Sequence, residues 1–313
     1  MKVIVDKNQI DGNTRRGVAL GNFDGIHIGH QKLMEVLVDK CQGQALEACV
    51  YTFKSHPLSL ITDFKSPPII TSNEMKVRIF EDFGIDSLIF ADFDVDLMSL
   101  SPEDFVKNIL IDTLNCKLAV VGFDYRFGYK AQGDVKLLIE LGKKYGFEVY
   151  EIDSISIEEE KVSSTSVRKY IEEGNVQKAH EFLGRYFSLF GPVVHGFSRG
   201  KKLGFPTANL FIEDSILVPK AGVYATLVNV GDNTYMGATF VGTNPTFDGQ
   251  KTSVETFIID YDGSLYDMFI EVQFVKRLRD QIKFSSPEEL VSQMTLDVEK
   301  TKMHLQEIVN VLK

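Results

Sequence analysis

Apolar residues in the first half of the chain gather in short clusters separated by longer amphipathic stretches. Clusters rich in Val, Ile, Leu or Phe at 16–20, 46–53, 86–90, 117–122 and 147–152 read as strands. Helical periodicity fills the gaps at about 30–41, 73–83, 102–114 and 133–145. In the first of these, Leu33, Leu37 and Cys41 recur at i, i+4 and i+8. Two more helical segments follow near 165–173 and 175–183. Alternation of this kind predicts an α/β unit, with a parallel sheet covered by helices on both faces.

After Gly184 the pattern changes. Short β runs broken by glycine occupy 189–194, 209–212, 223–230, 236–241, 254–259 and 265–274. Closely spaced strands with Gly, Asn and Asp turns predict a small antiparallel barrel. A last helix is announced by Ser286 as N-cap, Pro287 at its first position and Glu289 completing a capping box. The shift places a boundary near residue 185, giving domains 1–185 and 186–313.

Composition narrows this picture little. A chain of 313 residues suits two domains, and 44% hydrophobic with 25% charged residues is ordinary for a globular protein. The net charge of −10 argues against nucleic-acid backbones as the main ligand. Small nucleotides remain open, since they need only local positive potential. Cys41, Cys49 and Cys116 form no pair motif, which fits reduced thiols in a cytoplasm. Neither a signal peptide nor a membrane span is expected.

The candidate chemistry starts at residues 21–30, GNFDGIHIGH. A strand, a glycine-rich turn with two histidines and a helix form a phosphate-binding arrangement. The first N–H groups of a helix lack intrahelical partners, and its dipole favours anions there. Gly25 and Gly29 allow close approach to the backbone, and His27 and His30 can donate to phosphate oxygens. Metal ligation and a purely structural turn are the alternatives. No second Cys/His cluster completes a metal site, and H-E-x-x-H is absent. The spacing also departs from the G-x-G-x-x-G dinucleotide fingerprint.

H-x-G-H after a strand resembles the signature of the nucleotidyltransferase superfamily. The longer string G-N-F-D-G-x-H-x-G-H-Q-x-L resembles the N-terminal module of the bacterial bifunctional riboflavin kinase/FAD synthetases. Two further segments carry that resemblance. Residues 121–128 are similar to V-G-x-D-F-R-F-G, with Tyr125 where phenylalanine is usual, and 163–168 are similar to S-S-T-x-I-R. The resemblance implies a Rossmann-like nucleotidyltransferase domain that joins FMN to ATP and releases pyrophosphate. It implies ATP contacts at Gly21, Asn22, Phe23, Asp24, His27, Gly29, His30, Ser163, Ser164, Thr165 and Arg168. His27, His30 and Arg168 would stabilise charge in the reaction. Phe53, His56, Asp124, Arg126 and Phe127 would meet the flavin, although plain core packing is the competing reading for Phe123 and Phe127. Ala131 stands where arginine is expected in many members.

Residues 196–209 carry the second signal. They fail as a P-loop, because Gly196 and Gly200 are too close and Lys202 stands where Ser or Thr is required. They resemble instead the riboflavin kinase motif G-x-x-L-G-F-P-T-A-N. ATP contacts then fall on Gly200, Lys201, Gly204, Pro206, Thr207 and Asn209. Thr207 and Asn209, two apart, face the same side of an extended chain and offer hard oxygens suited to Mg²⁺. Glu255 alternates with Phe257 and Ile259. A carboxylate on an apolar strand face needs an explanation, and the resemblance makes it the base for the riboflavin hydroxyl. Tyr224, Glu255 and Arg279 are expected around the flavin. Asp267 replaces a usual glycine, and Gln281 replaces the glutamate of L-R-D-E.

The chain is thus expected to turn riboflavin into FMN in a barrel domain and FMN into FAD in an α/β domain, with ATP and Mg²⁺ at both. It is expected to be a cytoplasmic monomer or weak homo-oligomer that binds riboflavin, FMN, FAD and ATP and neither nucleic acid nor membrane. Two rivals are nucleotidyl transfer to another acceptor, such as a pyridine mononucleotide, and a flavin sensor without turnover.

Overall fold

Strands that read as nearly continuous apolar runs form the centre of the first of two compact units, Met1–Ser163 and Ser164–Lys313. The structure is a computed structural model and describes residues 1–55, 66–195, 204–246 and 249–312. In the first unit the strands are β1 (Lys2–Ile4), β2 (Arg16–Leu20), β3 (Glu47–Phe53), β4 (Ser87–Ala91), β5 (Cys116–Gly122) and β6 (Glu148–Ile152). They pair in parallel in the order β1-β4-β3-β2-β5-β6. Alternate residues feed two cores. Ala19, Val50, Leu88 and Val120 meet Leu33, Leu37, Ile79 and Phe80 from helices α1 (Ile28–Gln44) and α2 (Asn73–Asp82). Val18, Tyr51, Ile89 and Val121 belong to a second core with Phe105, Leu110, Leu138 and Leu141. Burial on both faces is why the inner strands β2 to β5 lack a polar alternation.

The second core is covered by α5 (Val135–Tyr145) and by residues 105–113, which follow the short α3 (Val95–Ser99) and α4 (Pro102–Asp104). From Phe105 to Thr113 the backbone continues α4 with π-helical bonding. The three-residue β1 and the hairpin of β7 (Ser156–Ile157) with β8 (Glu160–Lys161) are too short to show a period in the sequence. Helix α1 begins at Ile28 rather than near 30, which places His30 inside its first turn.

The second unit opens with α6 (Ser164–Glu172) and α7 (Val176–Leu183). A closed antiparallel barrel follows, built from β9 (Phe187–Val194), β10 (Thr207–Leu210), β11 (Gly222–Val230), β12 (Asn233–Thr246), β13 (Gly249–Ile258) and β14 (Phe269–Arg279) in the order β10-β13-β12-β11-β14-β9. The run expected at 265–274 is displaced. Asp267 takes a left-handed φ of +64° and Met268 N–H donates to Leu265 at 3.0 Å, so a turn precedes the strand, which extends on to Arg279. Inside the barrel Thr226, Thr239 and Thr256 are fully buried, and their hydroxyls link at 2.7 and 2.9 Å. The last helix, α8 (Pro287–Leu312), packs Leu305 and Val309 against Ala225, Leu227 and Val275. Ser286 Oγ accepts from Glu289 N–H at 3.2 Å, whereas the Glu289 carboxylate reaches back to Ser285 N–H, one residue further than the expected box.

Candidate active sites

In the first unit the strand order reverses between β2 and β5. Ligands of open α/β sheets bind beyond the carboxyl ends of the strands at such a point. Residues 21–30 leave β2 there, and residues 122–128 end β5 there. His27 is the N-cap of α1, and its Nδ1 accepts from the backbone N–H of His30 at 3.3 Å. A nitrogen that accepts carries no proton, so the donor of neutral His27 is Nε2. The two imidazoles stack with centroids 3.7 Å apart, and Phe23 lies edge-on to His30. Gly29 permits this stack, because a Cβ there would sit 3.2 Å from the His27 ring.

The turn is strained. Phe23 and Ile26 have φ of +49° and +42°, next to Gly25 at +85°. A left-handed β-branched residue such as Ile26 persists only when its surroundings over-determine it. Several contacts do so. Gln31 Nε2 donates to the Ile26 carbonyl at 3.0 Å. Thr52 Oγ1 and Lys76 Nζ donate to the Asn22 carbonyl at 3.1 and 2.9 Å. Asp24 is buried, and its Oδ1 accepts from the N–H groups of Ile70 and Thr71 at 2.8 and 3.2 Å. Asp24 therefore grips protein backbone within the motif. Lys76 was not singled out from the sequence. The signal was its place between Met75 and Ile79/Phe80 on the buried stripe of α2.

The other N-terminal candidates divide. Phe53 packs edge-on to Tyr51 and Phe93 at the end of β3, and His56 lies outside the described residues. Asp124 is exposed near Lys161, at 3.8 Å, and Arg126 is exposed near Asp134, at 3.9 Å. Phe127 is buried against Phe105 and Tyr125, so it serves the core. Phe123 does not, for it is exposed with the Lys161 ammonium 3.9 Å above its ring. Ser163 ends the first unit, and Ser164, Thr165 and Arg168 begin the second on α6. Arg168 Nη1 donates to the Ser164 carbonyl at 3.4 Å.

In the barrel, strand register assembles the site. Asn209 lies opposite Glu255 and Thr207 opposite Phe257. Residues opposite one another point to the same face, so all four share one side of the β10–β13 pair. Ala238 and Phe240 of β12 continue that face. Thr207, Glu255, Phe257, Ala238 and Phe240 from this face line a cavity of about 300 Å³, bordered also by Ile282, Phe284 and, from α8, Leu290 and Met294, whereas Asn209 shares the face without lining the cavity. The more buried face of β13 is the opposite one, with Val254, Thr256 and Ile258 inside the barrel. Glu255 thus stands on the outer, cavity face, half-buried, rather than on the strand's most apolar side.

Arg279 also lines the cavity and forms a two-pronged pair with Asp297, at 2.9 and 2.6 Å. Asp297, the carboxylate that orients it, is buried on α8 and gave no sequence signal. Tyr224 lies in the barrel interior, fully buried edge-on to Phe274, with its hydroxyl donating to the Lys220 carbonyl. Its neighbour Val223 is the residue that faces the cavity. Gly204 takes a left-handed φ of +84° and Pro206 is exposed. Gly200 and Lys201 lie outside the described residues.

The donor set suits a hard cation in the barrel. An amide at Asn209, a hydroxyl at Thr207 and a carboxylate at Glu255 share one face of the β10–β13 pair, and all three carry hard oxygens. Among the described residues no group of three or more His, Cys, Asp or Glu side chains converges as a metal cage.

Two family models and curated relatives match the chain along most of its length. The family model for FAD synthetase matches residues 10–166, and that for riboflavin kinase matches residues 183–305. A bifunctional riboflavin kinase/FMN adenylyltransferase of Buchnera aphidicola is 36% identical over 95% of this chain and 96% of its own. The Escherichia coli protein of the same name is 32% identical over 95% and 96%. A crystal structure described as a macrolide-efflux protein from Streptococcus pneumoniae superposes with a TM-score of 0.86 at 34% identity, covering 96% and 98% of the two chains. Among the described residues of the present chain, no helix is long and apolar enough to cross a membrane.

Proposed function

The chain belongs to the bifunctional riboflavin kinase/FMN adenylyltransferases, and from that premise we propose how its residues divide the work. The C-terminal barrel phosphorylates riboflavin and the N-terminal α/β domain adenylylates FMN. We take the functional boundary at residue 185.

In the barrel, the 5′-hydroxyl of riboflavin attacks the γ-phosphate of ATP, and Glu255 accepts the hydroxyl proton. The new P–O bond gives FMN, and the bond to ADP breaks. Thr207 and Asn209 would hold Mg²⁺, which when bound neutralises phosphate charge. Gly200, Lys201, Gly204 and Pro206 border the phosphates, and Arg279, oriented by Asp297, borders the flavin. The observation that carries this reading is the cavity that has Thr207 and Glu255 on one wall and aromatic rings around it. An apolar slot with a few convergent polar groups suits a flat ring system carrying one reactive hydroxyl.

In the α/β domain, a phosphate oxygen of FMN attacks the α-phosphate of ATP in line and pyrophosphate leaves. The attacking oxygen is already ionised, so positioning and charge neutralisation supply the catalysis. Residues 21–24, His27, Gly29 and His30 take the nucleotide, with His27 Nε2 as a donor towards phosphate. Ser163, Ser164, Thr165 and Arg168 are assigned to ATP on the resemblance alone. Phe53, His56, Asp124 and Arg126 are assigned to the flavin. The three free, buried cysteines support a reducing, cytoplasmic setting, and the net charge supports small nucleotides over nucleic acid as partners. We take the protein as a monomer or weak homo-oligomer.

Riboflavin, ATP and Mg²⁺ incubated with the protein should yield FMN and then FAD on chromatography, and chelation with EDTA should stop both. Absence of both flavins would overturn the assignment. FMN without FAD would leave only the barrel standing.

A further inference from the structure

The slot occupied by Lys76 belongs by pattern to an apolar residue. Its helical neighbours on the same stripe, Met75, Ile79 and Phe80, are buried, and Lys76 itself is 4% exposed. Burial pushes its ammonium pKa down from 10.5 to about 8, partly opposed by the Asp24 carboxylate. Keeping an ammonium there is costly, and a methionine would pack the space without that cost.

What the ammonium touches explains its presence. Its Nζ donates to the carbonyl of Asn22, which also accepts from Thr52 on β3. Two residues on, Asp24 accepts from the backbone of Ile70 and Thr71, the chain that leads into α2. Helix α2 and its lead-in thus hold the 21–30 turn at two points, and the left-handed Phe23 lies between them. The same turn delivers His27 and His30 to the start of α1.

We propose that Lys76 is a positioning residue for adenylyl transfer, fixing the 21–30 turn in the strained shape that presents His27 and His30 to the phosphates of ATP. The inference rests on the reading that this turn binds ATP. Lys76 acts through the Asn22 carbonyl and does not itself meet the substrate. Thr52 acts on the same carbonyl from the sheet, so the two donors are coupled.

The test measures FAD formation from added FMN, with ATP and FMN varied, for K76M, K76R, T52V, the K76M/T52V double variant and H30A. K76M should lower kcat at least tenfold, with both KM values within about threefold and the N-terminal unit still folded by circular dichroism. K76R, which keeps a charged donor, should recover part of that loss. T52V, close in shape to threonine, should lower kcat about threefold. The double variant should lose less than the product of the two single losses, because one carbonyl serves both. FMN formation from riboflavin should be unchanged throughout.

Unchanged kcat in K76M while H30A is inactive would reduce Lys76 to a packing role and overturn the proposal. FAD formation that survives in H30A would instead remove the ATP-binding reading on which it rests. Should K76M fail to fold, T52V decides alone: wild-type kcat in T52V overturns the proposal.

Discussion

The two proposed phosphate-handling sites of this chain are built by opposite means. The N-terminal one is a distorted turn at the end of a parallel sheet, held by a buried cation, a buried carboxylate and a hydroxyl. The C-terminal one needs no distortion at its polar face, because antiparallel register alone sets Thr207, Asn209 and Glu255 on one side. A parallel sheet offers only the ends of its strands, so its chemistry falls on loops that must be forced into shape. A barrel with a covered outer face offers a regular lattice of side chains. The first design depends on buried electrostatics, the second on pairing.

The largest expected effects cross between the sites. Glu255→Gln should slow riboflavin phosphorylation about 10²–10⁴-fold, the usual scale for losing a general base, and leave FAD formation from added FMN intact. His30→Ala should cost FAD formation about 10²–10³-fold, the scale of one lost charge-stabilising donor, and spare FMN formation. If either variant loses both activities while folded, the sites are not independent.

Next in size is a stability difference confined to the first unit. Lys76 has a folded pKa of about 8, below its unfolded value of 10.5. The unfolded chain therefore holds more protons between these values, and stability rises with pH across that window. The associated contribution is complete above about pH 10.5 and lost as pH falls through about 8. Wild type should gain about 3 kcal/mol on Lys76→Met between pH 8 and 10.5, read from denaturant midpoints. A constant difference across that range would show that no buried charge is at stake.

Smaller still, Tyr224→Phe should cost about 0.5–1.5 kcal/mol through its lost hydrogen bond and leave the KM for riboflavin unchanged. A raised KM would return Tyr224 to the flavin. Asp267→Gly should stabilise the barrel by about 0.5–1 kcal/mol by relieving a left-handed residue. A loss in thermal unfolding would mean that the side chain holds the turn.

Much of this was legible in the sequence because the relevant signals are local. Strands β2 to β6 and helices α1, α2 and α5 lie close to the hydrophobic clusters that announce them. The replacement of glycine at Asp267 was visible too, and its left-handed φ supplies the reason glycine is usual there. What could not be read depends on tertiary contacts. Strand β11 is buried on both faces, by barrel interior on one and by α8 and the cavity on the other. Alternation therefore could not say that Tyr224 points inward and Val223 outward. Lys76 and Asp297 are buried charges on helices, where a charge ordinarily marks the solvent side. Only their partners, Asn22 and Arg279, reveal the exception.

Strand β10 has only four residues and meets β9 through the pairs Asn209↔Val194 and Leu210↔Val193. The barrel is therefore fastened at its thinnest seam by the same segment that carries Thr207 and Asn209. Local opening runs through the elements with fewest backbone bonds, so amide hydrogens along 207–210 should exchange before those of β11 and β12. Nucleotide bound across that seam would act as a clasp, slowing exchange there first.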